Sequence, residues 1–129
     1  MIKYNNSTKQ IQITRGDTIS FRISAKDEEG HSYIFEEGSI LKFKVTEANN
    51  ENVVVLEKDI NIESQTTKVD IALSSEDTKI GCYINEPVIY WYEISLVHGN
   101  IVQTIIGYDK KGAKEFVLYP EALEVTNNG

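Results

Sequence analysis

The chain has 129 residues, 40% of them apolar and 26% charged, which fits one domain able to fold around its own core. A net charge of -7 and a pI near 4.8 set it against partners that require concentrated positive charge, namely nucleic acid and anionic membrane surfaces. A single cysteine, Cys82, excludes an internal disulfide, and no window reaches the ~20 apolar residues of a membrane span.

Isoleucine, valine, threonine and tyrosine are plentiful while alanine and leucine are few, a bias toward strands. The expected division is a flexible lead-in over 1–9, one β-sandwich domain over 10–121 and a tail over 122–129. Met1–Asn6 has no apolar run behind its charge, so no secretory leader is expected. Gln10–Thr14 alternates and reads as a first strand. Arg15-Gly16-Asp17 turns the chain. Thr18–Lys26 is the clearest half-buried strand, with Ile19, Phe21, Ile23 and Ala25 on one face. Asp27–Gly30 turns again, and Ser32–Glu36 reads as a short strand.

Ile40–Glu47 points Leu41, Phe43 and Val45 one way and Lys42, Lys44 and Thr46 the other. Ala48–Asn52 reads as a loop and Val53–Lys58 as the next strand. Lys68–Leu73 follows, with Val69, Ile71 and Leu73 on one face. Ser74 then offers an N-cap, with Glu76 and Asp77 where free backbone N–H groups favour anions, so one short helical turn is expected near residues 74–80. Val88–Val97 is the longest strand signal and holds Trp91. Tyr90, Tyr92, Ile94 and Leu96 share one face, with Trp91, Glu93 and Ser95 opposite. His98-Gly99-Asn100 and Ile101–Ile106 complete a hairpin, and Glu115–Tyr119 closes the pattern before Pro120.

Eight or nine short strands with turns between them, and no long helix, predict an all-β fold: an antiparallel, immunoglobulin-like β-sandwich. The sequence carries no reactive constellation. Arg15-Gly16-Asp17 is the tripeptide read by integrins, but a hairpin turn accounts for it. His31 and His98 stand beside turn glycines without companions at ligand spacing, so they read as exposed turn residues. Cys82 lacks a surrounding motif and reads as a small core residue. The acidic groups Asp27-Glu28-Glu29, Glu36-Glu37 and Glu76-Asp77 match no EF-hand loop and read as solvated surface. No catalytic, metal or cofactor-binding residue is therefore assigned, and no enzyme activity is expected. Trp91, Tyr108 and Tyr119 are the candidate interface residues, because aromatic side chains supply rigid contact area.

Several segments, taken in order, carry a resemblance. Arg15-Gly16-Asp17-Thr18 opens into Ile19–Ala25. Gly38-Ser39-Ile40-Leu41-Lys42-Phe43-Lys44-Val45 follows, then Ile71–Thr78 with Gly81. Tyr90–Leu96 leads to Gln103-Thr104-Ile105 and the closing Phe116–Glu121. This order resembles small β-sandwich proteins of phages and prophages of Gram-positive bacteria, among them the amino-terminal domain of the phage baseplate upper protein. The resemblance implies a non-catalytic virion structural or assembly module of tail or baseplate type, made in the bacterial cytoplasm and carried into a virion. Its partners would be other phage structural proteins or further copies of itself. An immunoglobulin-like module that binds carbohydrate or another surface through its aromatics is the alternative.

Overall fold

The computed structural model describes residues 2–4, 9–26, 29–81 and 84–121. Among these residues the chain forms nine strands and no helix: β1 (Ile2–Tyr4), β2 (Ile11–Thr14), β3 (Ile19–Ile23), β4 (Ile40–Glu47), β5 (Asn50–Asn61), β6 (Val69–Leu73), β7 (Val88–His98), β8 (Ile101–Ile106) and β9 (Lys114–Tyr119). The larger sheet has the order β1-β2-β9-β7-β4-β5, with β8 also on β7; β3 and β6 pair as a second sheet. β7 organises the larger sheet. One of its edges pairs with β4, and the other is shared by β9 along Val88–Tyr92 and β8 along Ile94–His98.

Alternation decides which side chains enter the core. Leu41, Phe43 and Val45 lie opposite Leu96, Ile94 and Tyr92 in register, and all six are buried. The second sheet turns Ile19, Phe21 and Ile23 inward, with Val69, Ile71 and Leu73 beside them. Phe21 meets Phe43 across the two sheets, ring centroids 6.0 Å apart at 66°. Phe43 also packs against Tyr92 at 5.6 Å and Phe116 at 6.3 Å, so it is the centre of the core. The Tyr92 hydroxyl, carried inward with its ring, donates to the Lys9 carbonyl. That bond gives the hydroxyl a backbone acceptor inside the fold.

Four expectations need correction. The sheets are not purely antiparallel: β2 runs parallel to β9, with Ile11 opposite Phe116 and Thr14 opposite Tyr119. The lead-in contains β1, which pairs antiparallel with the otherwise free edge of β2. Ser32–Glu36 makes only isolated bridges, Ser32 with Lys26 and Phe35 with Thr66.

No helical turn forms near 74–80; residues 75–78 are a hydrogen-bonded turn. Thr78 N–H reaches Ser74 O at 3.3 Å, and Lys79 N–H already shortens to Glu76 O. Thr78 is fully buried, and its hydroxyl donates to Asp17 O at 2.7 Å and accepts from Gly16 N–H at 3.0 Å. Anchored there, with Ile80 drawn into the core, the chain has no length in which to recover the cost of starting a helix. The tail over 122–129 lies outside the described residues.

Candidate functional site

The outward face of the larger sheet carries two of the three candidate aromatics. Trp91 points away from the core because its β7 neighbours Tyr90 and Tyr92 point in. Register sets Thr46 on one side of it and Glu115 on the other. Lower on the same face, Lys44 lies between Glu57 and Glu93, and Lys42 pairs with Asp59 at 3.2 Å. Opposite charges in adjacent strands make that half of the face an ordinary solvated surface.

Tyr108 is brought back over Trp91 by the chain leaving β8. A register shift opposite Ile94/Ser95 bends the end of β8. Gly107 then passes so close that a Cβ there would stand 2.7 Å from Thr104 Cγ2. The turn beyond is fixed by Asp109 and Gly112, which exchange backbone hydrogen bonds of 3.2 and 2.8 Å. Lys114 Nζ pairs with Asp109 Oδ1 at 2.7 Å although Lys114 itself is buried. The Lys114 hydrogen bond, followed by the Lys111 backbone N–H, holds the Asp109 carboxyl below its usual range.

The result is an edge-to-face pair, Trp91 and Tyr108, with centroids 6.4 Å apart at 64°. Around it lies an open surface concavity of about 280 Å³, lined in part by Lys44, Thr46, Glu51 and Glu93. Trp91 is half-buried, whereas Tyr108 is 74% exposed. Tyr119 does not join them. It lies at the far end of β9, four residues or roughly 13 Å along the strand from Glu115, the residue opposite Trp91.

A second feature was not visible in sequence. Ser39, buried before β4, has its hydroxyl 2.8 Å from His98 Nδ1 at the end of β7, beside an open concavity of about 460 Å³. A serine nucleophile requires a histidine whose second nitrogen is held by a third group. Among the described residues His98 has no second hydrogen-bond partner. The pair therefore fastens the end of β7 to the segment entering β4. His31 is exposed beside Glu29, and Cys82 lies outside the described residues. Asp27 and Glu28 do too. Among the described residues no three His, Cys, Asp or Glu side chains converge as metal ligands.

The Arg15-Gly16-Asp17 turn is occupied internally. Arg15 Nη1 meets Glu121 Oε1 at 2.7 Å, Nε donates to Ile80 O at 3.1 Å, and Nη2 donates to Gly81 O at 2.8 Å. Ser75 Oγ donates to Gly16 O at 2.6 Å. An arginine held this way, its side chain 13% exposed, is a clamp between β2 and the 74–81 segment rather than a display loop.

The third surface is β8. Ile101 and Val102 are 62% and 67% exposed, the most exposed aliphatic side chains among the described residues, and β7 is the strand's only partner there. The sequence reveals the strand but not this exposure, which depends on β8 ending at an edge. No protein-family model, curated protein or solved structure matches the chain.

Proposed function

We propose that this chain is a non-catalytic structural or assembly module of a phage or prophage, of tail or baseplate type, that works by protein–protein contact. The immunoglobulin-like β-sandwich is the fold class we assign it, on the packing of β3 and β6 over the larger sheet through Phe21 and Phe43. One observation carries the functional reading. An acidic, well-packed domain leaves Ile101 and Val102 in water along a strand edge that is unpaired among the described residues. Exposed edges with apolar side chains recruit other chains, and proteins that remain alone blunt them. The resemblance of its segment order to phage β-sandwich modules suggests the setting.

The test is induction of the source strain with a DNA-damaging agent, purification of released particles and mass spectrometry of their proteins. The chain at a fixed ratio to a tail or capsid subunit supports the reading. Its absence from particles and from their assembly intermediates overturns it.

The Trp91–Tyr108 concavity favours a second reading, a carbohydrate- or surface-binding module. Edge-to-face aromatics rimmed by Lys44, Glu51 and Glu93 offer both an apolar face and polar partners. Saturable glycan binding lost in Trp91→Ala supports it, and a blank glycan screen rejects it.

A further inference from the structure

We infer that β8 pairs with β8 of a second copy, antiparallel about a two-fold axis at Gln103, joining two seven-stranded sheets into one. This rests on the reading of the chain as an assembly module and names its partner.

The backbone of β8 is arranged for such a pairing. Gly99-Asn100 is a two-residue connection between β7 and β8, so His98 and Ile101 are the closing pair, with Ile101 N–H directed at His98 O. Antiparallel pairs alternate between hydrogen-bonded and non-hydrogen-bonded, so Gln103, opposite Leu96, also faces β7. Val102 and Thr104 then direct their N–H and C=O groups to the free edge. Pairing about Gln103 sets Val102 opposite Thr104 of the second copy, and Thr104 opposite its Val102. That exchanges about four backbone hydrogen bonds and places no group out of phase. Gln103 falls opposite Gln103, and the paired stretch Val102–Thr104 ends before the bulge at Ile105.

Charge selects the second copy. Among the described residues the strands at a sheet edge are β1, β3, β5, β6 and β8. Lys3, Arg22 and Asp70 put charges on β1, β3 and β6, and β5 carries Glu51, Glu57, Lys58 and Asp59. Such charges keep edges apart. Ile101–Ile106 carries none, in a chain whose net charge of -7 makes copies repel elsewhere. Among the free-edged strands of the described residues, β8 is thus the one that carries no charged residue.

The test uses the full chain. Sedimentation or light scattering at rising concentration is expected to approach twice 14.6 kDa. Val102→Lys, at a site already 67% exposed, abolishes the dimer without unfolding the domain. Ile89→Lys, 49% exposed on the outer face but away from β8, leaves it intact. In a Cys82→Ser background, Gln103→Cys is expected to cross-link on mild oxidation. Facing residues on the axis lie roughly 4.5 Å apart between Cα atoms, within the disulfide range of about 4.4–6.8 Å.

A monomer up to about 1 mM together with no Gln103→Cys cross-link overturns the inference. So does a dimer indifferent to Val102→Lys. A monomer found at fixed ratio in particles overturns self-pairing while leaving the assembly reading intact.

Discussion

Ser74 and Asp77 cap each other. Ser74 N–H donates to Asp77 Oδ2 at 2.8 Å, and Asp77 N–H returns a bond to Ser74 Oγ at 3.1 Å. Lys58 Nζ, reaching over from β5, meets the same Asp77 oxygen at 2.6 Å. Burial pushes the Asp77 carboxyl up, but the hydrogen bonds from Lys58 and Ser74 outweigh it and hold the group below its usual value. With the folded pKa below the unfolded one, this carboxylate stabilises the fold fully above about pH 4, and the contribution is lost as pH falls through the folded value. Asp77→Asn is therefore expected to lower unfolding free energy by about 1–2 kcal/mol at neutral pH. Urea melts of both chains near neutrality and near pH 3 check this: the gap should narrow in acid, and a constant gap would refute the electrostatic account.

The Arg15 side chain ties together three stretches: the end of β2, residues 80–81, and Glu121 beyond β9. Arg15→Ala leaves a partly buried carboxylate and two carbonyls without their charged donor. A loss of about 2–3 kcal/mol is expected, read as a lower denaturant midpoint. Arg15→Lys should recover only part of it, since one ammonium cannot span the guanidinium's fork. Integrin-dependent cell adhesion to the immobilised native chain should be absent, because the arginine is engaged internally.

Local pattern made the central strands legible. Ile19, Phe21 and Ile23, or Tyr92, Ile94 and Leu96, alternate with polar or outward residues, and burial follows that period residue by residue. Pairing was not legible in the same way. Nothing in Gln12 or Val117 indicates that strands more than a hundred residues apart lie parallel, because one-sided burial gives the same alternation in either direction. β1 is only three residues long, and its Ile-Lys-Tyr reads as a strand only once β2 offers an edge. Ser74 accepts from Asp77 N–H as the expected N-cap would, yet the buried Thr78 decided against a helix. At the candidate site, the outward direction of Trp91 was readable from its neighbours. Its contact with Tyr108 was not, since it depends on the bend at the end of β8 and the close passage of Gly107.

Phe43 is completely buried and in ring contact with Phe21, Tyr92 and Phe116, thus with both sheets. Phe43→Ala removes those contacts and opens a cavity where opposed sheets cannot easily close. The expected cost is about 3–5 kcal/mol, a large share of the 5–15 typical of a whole domain. Phe43→Leu should cost far less, because most of the volume is retained. Thermal unfolding followed by circular dichroism distinguishes the two; equal melting temperatures for both variants would show that Phe43 is not the centre of the core.

Trp91 is the single tryptophan, so its fluorescence reports on the Trp91–Tyr108 pair alone. Tyr108 is 74% exposed, and removing it should change stability by no more than about 1 kcal/mol, the scale of one aromatic pair. The indole would nevertheless gain water on that face, and Tyr108→Ala should shift its emission to longer wavelength. Gly107→Ala tests the same geometry from the backbone. A Cβ 2.7 Å from Thr104 Cγ2 must displace the Thr104 side chain or the loop, and displacing the loop carries Tyr108 off the indole. It should therefore reproduce the spectral shift with Tyr108 still present, at a stability cost of about 1–3 kcal/mol. Thr104→Ser, which removes the obstructing methyl, should restore the native spectrum in the Gly107→Ala chain. If the double variant stays shifted, the close passage of Gly107 is not what seats Tyr108 on Trp91.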